Sequence, residues 1–465
     1  MFLKASAGLA AAGLTASCAP GSGGPFRRLF LVTLDTLRAD HLECYGYPRD
    51  TAPFLTDLAR RSALFRRAMA ASSHTNPAHA SIFSGLEVPQ HKYVHNSQAG
   101  MSDKVYAMAQ AFQDSGFDTA GFYSMVWLGW FERGFRTFQR RPDPDKYKVE
   151  YSLAPETVAL ARDWLRGRGP RDRFFLWLHL FDAHVPYRAP AEFRDLLRFR
   201  DDKERRQLTA YWLDTQKKDP ESGPWAGDLD AFVATQQAYD AEIRFMDAHL
   251  GELYAYAGRR GLNDNSLWIV TADHGEGLGA HGYEGHGKHI YQEELHVPLL
   301  IHAPDGRYGA RGVDGLAHHT DLLPTAADAF GVSVDRQATP IHGVSLMPLV
   351  DGTGGLPSDR RVFAQRRRKY PLHPFTMEWE DGPIYSVQDE RLKYIFHAHG
   401  VDEFFALDSD PRELANLAVA DSAEADAMRA HAQAAYAQLT ADSQSIEEKD
   451  LSSEHVEALK AAGYL

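Results

Sequence analysis

Cysteine is nearly absent from this chain, because its 465 residues include only Cys18 and Cys44. This count excludes the disulfide-dense scaffolds of small secreted domains, so the fold must depend on a hydrophobic core. Hydrophobic residues make up 44% of the sequence, and at this length they can form one large domain with a smaller appendage.

An excess of positive charge is also absent, since 50 lysines and arginines face 63 aspartates and glutamates, and the formal net charge is −13. Nucleic acids and anionic lipid surfaces both require a positive protein face, so this balance argues against broad binding to either. An anionic ligand must therefore find local positive charge in a pocket. Two basic runs, at 199–206 and 366–369, are typical of solvated faces, and we leave them out of the predicted site.

The sequence does contain apolar strands that end in polar side chains. Residues 267–270 are typical of a buried strand of a parallel sheet, and Asp273 and His274 follow them. A second strand, residues 29–34, leads into Asp35. Ligands of open α/β sheets bind beyond the carboxyl ends of the strands, so this pattern predicts a metal site there. Alternatively, Asp35 is a helix N-cap and the stretch after 274 is a histidine-rich surface loop.

Residues 73–85 read Ser-His-Thr-Asn-Pro-Ala-His-Ala-Ser-Ile-Phe-Ser-Gly. This segment resembles the nucleophile segment of the sulfatase family within the alkaline-phosphatase superfamily, where a cysteine or serine, x, Pro, x, Arg motif opens a helix. The resemblance continues, in the family's order, through segments 35–47, 239–242, 271–276, 294–301, 319–325, 410–417 and 459–465. It implies a metal-dependent ester hydrolase with an α/β/α sandwich, a mostly parallel central sheet and a smaller C-terminal α+β subdomain.

The resemblance also implies roles for individual residues. Thr75 occupies the nucleophile position at a helix N-terminus, where amide groups and the helix dipole favour an anion. The residues that match the metal site are Asp35, Thr75, Asp273 and His274. The residues that match contacts to the transferred group, and that are predicted to bind substrate and assist catalysis, are His184, His286 and Lys288. A second metal, held by Asp182, His184 and His286, is the alternative to a single one.

Two departures from the family pattern bear on the chemistry. Threonine cannot become the formylglycine that sulfatases make from cysteine or serine, so a plain alkoxide nucleophile remains at Thr75. The calcium-binding sulfatases have two adjacent aspartates where this chain has Asp35-Thr36, and an arginine where it has His79. Carboxylates with imidazole favour Zn²⁺ or Mn²⁺ over Ca²⁺ or Mg²⁺. His79 lies one helical turn after Thr75 and has either a structural role or contact with the bound anion.

Threonine at the nucleophile position resembles the superfamily's phosphodiesterases, nucleotide pyrophosphatases and phosphoethanolamine or phosphoglycerol transferases. The predicted function is therefore metal-dependent cleavage of phosphate monoesters or diesters through a phosphothreonine intermediate, without formylglycine. The alternatives are a sulfatase that uses unmodified threonine, a phosphotransferase acting on surface glycans or lipids and, least favoured, a non-catalytic binding lipoprotein. The predicted ligand is an anionic ester in a small molecule, a glycan or a lipid headgroup.

The N-terminal segment resembles a bacterial lipoprotein signal, with a short, weakly apolar stretch that ends at Cys18. Thr15 stands where leucine is usual, so an ordinary exported leader or a low-complexity tail is the alternative. We expect an exported, periplasmic or cell-envelope protein held to the membrane only through a lipid on Cys18. The predicted organisation is a signal and flexible tether at 1–25, a catalytic domain at 26–350, and a C-terminal subdomain with a small antiparallel sheet and helices at 351–465.

Overall fold

The computed structural model describes residues 26–94, 96, 100–125, 129–139, 151–216, 225, 227–309, 311–334, 340–367, 383–398, 400–418 and 422–443. Cys18, the predicted signal and the closing motif at 459–465 lie outside these residues. No helix in the described ranges is both long enough and apolar enough to cross a membrane.

The larger of the two sheets has eight strands. These are β1 Arg28–Leu34, β2 Ala63–Met69, β3 Asp118–Tyr123, β4 Thr137–Gln139, β5 Phe174–Leu180, β6 Ser266–Ala272, β7 His296–His302 and β8 Arg311–His318. Their order across the sheet is β4-β3-β5-β1-β6-β7-β2-β8. All neighbours pair in parallel except at β7, which runs antiparallel to both β6 and β2.

Helices cover this sheet, and every residue of its central strands β1, β5 and β6 is buried. Continuous apolar strands of this kind need cover on both faces, which confirms the predicted α/β sandwich with a mostly parallel sheet. The helices are α1 Pro53–Ala59, α2 Thr75–Ser84, α3 Val88–His91, α4 Met108–Asp114, α5 Ala154–Arg166, α6 Ala191–Leu196, α7 Asp202–Gln216, α8 Leu229–Arg259, α9 Gln292–Leu295, α10 Leu322–Phe330, α11 Met347–Asp351 and α12 Ala423–Ala441.

The smaller sheet is antiparallel, as predicted for the C-terminal part of the chain. Its strands are β9 Val362–Arg367, β10 Pro383–Gln388, β11 Leu392–His397 and β12 Glu403–Ala406, in the order β12-β11-β10-β9. The helix α12 packs on it through a separate hydrophobic core that includes Tyr385, Tyr394, Met428 and Ala432. This subdomain therefore has a core of its own.

The register of the central strands determines where the polar residues emerge. Leu34, the last residue of β1, lies opposite Leu180 of β5 and Ala272 of β6. The three strands therefore end at one level, and the residues that follow them share one edge of the sheet.

Candidate active site

The first carboxylates of the site lie directly beyond the ends of β1 and β6. The backbone amide of Asp35 donates to the carbonyl of Leu180 over 2.8 Å, which ties the ends of β1 and β5 together. The Asp273 Oδ1 atom accepts the backbone amides of Thr36, at 3.1 Å, and His274, at 2.8 Å. Both acids are fully buried and held by backbone contacts at the sheet edge.

Thr75 is the first residue of α2 and is also fully buried. Its Oγ1 atom lies 3.2 Å from Nε2 of His274, so the helix start and the end of β6 meet at this pair. The first turn of α2 offers an anion fewer amides than an ordinary helix N-terminus would. The Asn76 amide donates to Oδ1 of Asn96 over 2.8 Å, and Pro77 has no amide hydrogen.

Asp35, Asp273 and His274 form a group of possible metal ligands whose donor atoms all lie within 4.8 Å of one another. Oδ1 of Asp35 and Oδ2 of Asp273 are buried and have no hydrogen-bond partner among the described residues. Burial and the neighbouring Asp273 charge raise the pKa of Asp35 well above its ordinary value. Buried carboxylates need a compensating charge, and no described lysine or arginine makes an ion pair with either acid. These residues therefore fit a divalent cation.

His79, His179 and Asp273 form a second group with the same spacing. His79 Nδ1 lies 2.8 Å from the Thr75 carbonyl oxygen, which can only accept, so this nitrogen carries a hydrogen. The same nitrogen is the one that faces Asp273, 3.7 Å from Oδ2. His79 Nε2 is 2.9 Å from the Thr33 hydroxyl. These contacts favour the structural alternative for His79, as a tie between the start of α2 and β1.

His179 lies near the end of β5, and its Nε2 atom is 3.2 Å from Oδ2 of Asp35. Burial lowers its pKa to about 4, so the ring is neutral. A single histidine inside an apolar strand is more often structural, so the sequence alone does not mark His179 as a site residue. Its position beside Thr33 of β1 follows from the pairing of β1 with β5, which the local sequence does not reveal.

The structure brings His184 and His286 together with His274. The ring centre of His286 is 4.6 Å from that of His274 and 4.7 Å from that of His184. The His184 ring also stacks on Phe181 with a centroid distance of 4.2 Å. Burial lowers the pKa of His184 to about 3 and that of His286 well below its ordinary value. Both imidazoles are therefore neutral near pH 7.

Glu276 is a further buried group beside these histidines, and its sequence position alone does not predict a role for it. Its Oε2 atom is 3.4 Å from Nδ1 of His286, and burial raises its pKa. Lys288 lies farther out and donates from Nζ to the Glu284 carbonyl over 2.7 Å. Its charge still reaches His286, since it contributes to the lowered pKa of that ring.

Asp182 does not join these residues in a second metal group. Its Oδ1 atom accepts the amide of Ala154 at the start of α5 over 2.9 Å, and burial raises its pKa to about 7. Among the described residues, the two groups above are the ones with metal-ligand spacing, and neither contains Asp182, His184 or His286. The turn after β5 directs this side chain toward α5, so the geometry gives no support to the predicted second metal there.

Two family models match the chain. The model described as Sulfatase matches residues 27–332, and the model described as N-sulphoglucosamine sulphohydrolase, C-terminal, matches residues 279–441. Choline-sulfatase of Rhizobium meliloti (strain 1021) is 25% identical over 424 residues, which cover 79% of this chain and 77% of that protein.

The multifunctional alkaline phosphatase superfamily protein PehA of Trinickia caryophylli is 25% identical over 477 residues, which cover 84% of this chain and 91% of that protein. Among solved structures, the phosphonate monoester hydrolase of Agrobacterium radiobacter superposes with a TM-score of 0.68 at 20% identity. The superposition covers 89% of this chain and 95% of that one, and it shows that the two share a fold.

Proposed function

Since the chain belongs to the sulfatase family and is an ester hydrolase of the alkaline-phosphatase superfamily, we propose that it cleaves phosphate esters with Thr75 as the nucleophile. The observation that supports this most directly is the buried contact between the Thr75 hydroxyl and His274, beside two uncompensated carboxylates. A divalent cation held by these carboxylates would lower the pKa of the hydroxyl and so activate it as an alkoxide.

The choice of phosphate over sulfate follows from the side chain of Thr75. Formylglycine releases sulfate because its hydrate can collapse back to an aldehyde, and threonine has no equivalent step. An alkoxide that attacks phosphorus forms a phosphothreonine, which water can then hydrolyse. The names of the similar proteins do not decide between phosphate and sulfate. One relative is named as a choline-sulfatase, and one structural neighbour is named as a phosphonate monoester hydrolase.

In the proposed reaction, the Thr75 hydroxyl gives up its proton to solvent water, Oγ1 attacks phosphorus in line, and the bond from phosphorus to the leaving oxygen breaks. An anionic group between His184 and His286 raises the pKa of both rings, so that one of them can carry a proton to the leaving oxygen. Glu276 Oε2 accepts a hydrogen bond from Nδ1 of His286 and so holds the orientation of this ring. Lys288 adds positive charge at the rim, where it attracts the anionic ester.

Asp35, Asp273 and His274, together with Thr75, are the residues that would hold a divalent metal. When bound, the cation would supply the positive charge that lowers the pKa of the Thr75 hydroxyl. The imidazole in this set favours Zn²⁺ or Mn²⁺ over Ca²⁺ or Mg²⁺.

A sulfatase that uses unmodified threonine is the second candidate function. It is favoured by the likeness to choline-sulfatase and by the match of residues 279–441 to a sulphohydrolase C-terminal model. Under either function the ligand is an anionic ester, and a sulfated or phosphorylated glycan is one class of it.

The test is a comparison of rates on matched aryl phosphate monoesters, phosphate diesters and sulfate esters with the purified protein supplied with Zn²⁺ or Mn²⁺. We expect turnover of at least one phosphate ester to exceed that of the sulfate ester. Acid quenching should also trap a phosphopeptide that contains Thr75. Faster cleavage of sulfate would overturn the proposal, and Thr75→Ala serves as the control for contaminating enzymes.

We also propose that the protein is exported and anchored through a lipid on Cys18, on the basis of the N-terminal sequence alone. Growth of the producing bacterium with labelled fatty acid should label the protein and leave Cys18→Ala unlabelled. Equal labelling of both would contradict the anchor.

A further inference from the structure

We propose that Tyr239 is a positioning residue of the metal site, whose hydroxyl holds Thr36 in a left-handed backbone conformation. Through Thr36 it keeps the carboxylates of Asp35 and Asp273 in place. The inference rests on the metal position in the proposed function, but not on which ester the protein cleaves. Tyr239 opens segment 239–242 on α8, to which the proposed reaction gives no role.

Thr36 directly follows Asp35 and has a φ of 55°. A β-branched residue in this region is an outlier, because its Cβ lies too close to the backbone. Such strain persists only where the surroundings over-determine the conformation, and it collects at functional sites. The Thr36 side chain does not compensate for it, since Oγ1 is buried and has no hydrogen-bond partner in the described part of the chain. The backbone contacts of Thr36 must therefore hold the conformation.

Both polar groups of the Thr36 backbone have buried partners. The amide donates to Oδ1 of Asp273 over 3.1 Å, so the turn after β1 aims this hydrogen at the carboxylate beyond β6. The carbonyl accepts a hydrogen bond from the Tyr239 hydroxyl over 2.7 Å. The same hydroxyl accepts the Arg38 amide over 2.9 Å, so one side chain ties two backbone groups of the turn. Without the hydroxyl, both groups would lose a buried partner, and Thr36 could relax to a negative φ.

Tyr239 is itself held firmly in position. It is fully buried on α8, and its ring packs edge-on against the ring of His41 with a centroid distance of 5.0 Å. The next residue, Asp240, lies 2.9 Å from Nδ1 of His41 and 2.6 Å from Nη1 of Arg49. These contacts fasten α8 to the segment that follows β1. The hydroxyl therefore has a fixed position from which to set the turn.

The experiment measures Zn²⁺ affinity, by competition with a chromophoric chelator, in the unaltered protein, Tyr239→Phe, Thr36→Gly and the double variant. Glycine adopts a positive φ without the steric cost, so Thr36→Gly makes the Tyr239 hydroxyl dispensable. Tyr45→Phe is the matched control, because the Tyr45 hydroxyl also bridges a carbonyl, of Phe65 at 2.8 Å, and an amide, of Leu299 at 2.9 Å. Urea unfolding of the metal-free proteins reports the stability that each variant loses.

We expect Tyr239→Phe to lower the Zn²⁺ affinity by about 10–100-fold, the range typical of groups that orient metal ligands. In the Thr36→Gly background this loss should be at least about threefold smaller, which is the coupling that a double-mutant cycle detects between residues in contact. Thr36→Gly alone and Tyr45→Phe should each stay within about threefold of the unaltered protein. A general weakening of the fold would instead lower the affinity equally in both backgrounds.

A loss below about 10-fold in Tyr239→Phe, or a loss that Thr36→Gly reduces by less than about threefold, would overturn the proposal. A comparable loss in Tyr45→Phe would also overturn it, and so would a loss in Thr36→Gly alone, which would place the effect in the Thr36 hydroxyl. If Tyr239→Phe alone fails to fold, folding and Zn²⁺ binding by the double variant support the proposal, and their absence overturns it. None of these measurements uses turnover, so a preference for sulfate esters would defeat the proposed function and leave this inference standing.

Discussion

Two buried charged clusters in this molecule balance their charges in opposite ways. The junction cluster, Lys393 and Glu413 with His281 and Glu293, joins the C-terminal subdomain to the segment after β6. Lys393 Nζ and Glu413 Oε1 are 2.6 Å apart with both side chains fully buried, and His281 Nδ1 is 2.6 Å from Glu293 Oε1. Every charge here has an opposite charge from the same chain.

The sheet-edge cluster, Asp35 and Asp273 with His179 and His274, is equally buried but lacks such partners. Its histidines are the ionisable partners of the two acids, and one oxygen of each carboxylate remains without a hydrogen bond in the described residues. The difference shows how burial serves two purposes. In the junction cluster, buried charges are paired within the chain and hold the C-terminal subdomain against the segment after β6. In the sheet-edge cluster, unpaired buried carboxylates create affinity for a cation.

The junction cluster also supports the site indirectly. Lys393 donates to the Ile290 carbonyl over 2.6 Å, and Glu413 accepts the Gln292 amide over 2.6 Å. Both contacts fall just after His286 and Lys288 in the chain. The C-terminal subdomain therefore anchors the segment that carries two of the proposed substrate-binding residues.

Among changes at the two clusters, the largest effect on turnover is expected from Thr75→Ala, next to the sheet-edge cluster. This change removes the proposed nucleophile, so we expect kcat to fall by about 10⁴-fold or more, with little change in the free energy of unfolding. Steady-state kinetics and urea unfolding measure the two quantities. Gln388→Ala, which removes a 2.9 Å contact to Gln292 at the junction, should leave most of the turnover intact. Turnover by Thr75→Ala at the unaltered rate would exclude Thr75 as nucleophile.

Removal of the metal should act through the sheet-edge cluster and leave the ion pairs of the junction cluster in place. We expect a strong chelator to abolish turnover, and Zn²⁺ or Mn²⁺, but not Ca²⁺ or Mg²⁺, to restore it. The melting temperature should also fall, since a ligand present at about 1,000 times its Kd stabilises the folded state by about 4 kcal/mol. Calorimetry and activity before and after dialysis check this. Full activity in protein that elemental analysis shows to be free of metal would contradict the need of the sheet-edge cluster for a cation.

Deleting one carboxylate from each cluster should have different effects on stability in metal-free protein. Glu413→Gln leaves the Lys393 charge buried without a partner, so we expect it to lower the free energy of unfolding by about 3–5 kcal/mol. Asp273→Asn keeps an oxygen for the amides of Thr36 and His274 but removes repulsion with Asp35, so stability should stay the same or rise. Urea unfolding with chelator measures both. A large loss in Asp273→Asn would show that its charge is already balanced.

The smallest expected effect is a pH dependence at the junction. Burial lowers the pKa of His281, but the nearby Glu293 carboxylate outweighs this and raises it to about 9, above the ordinary 6.5. The protonated ring therefore stabilises the fold fully below about pH 6.5, and this contribution, at most about 3 kcal/mol, is lost as the pH rises through about 9. The decrease in melting temperature from pH 7 to 10 should be smaller in His281→Gln. An identical decrease would show that this pair does not stabilise the junction.

Much of the fold and part of the site could be predicted from local patterns. Apolar runs that end in Asp35 and in Asp273-His274 indicate parallel strands with a ligand site beyond them, and the proline and glycine around Thr75 indicate a short helix. Each of these features needs only a few neighbouring residues to be recognised. Asp182 shows the limit of such patterns. The strand before it was predicted correctly, but its side chain accepts a hydrogen bond from the Ala154 amide at the start of α5.

The sequence by itself determined which strands carry acids at their ends and which hydroxyl opens α2, because period, polarity and motif order are local properties. Only the tertiary structure decided that His179 meets Asp35, 144 residues away, and that Glu276 meets His286. The first contact depends on which strands are neighbours and on their register, and the second on how a glycine-rich turn closes. Both are set by packing across the whole sheet, where many distant residues together determine the position of each side chain.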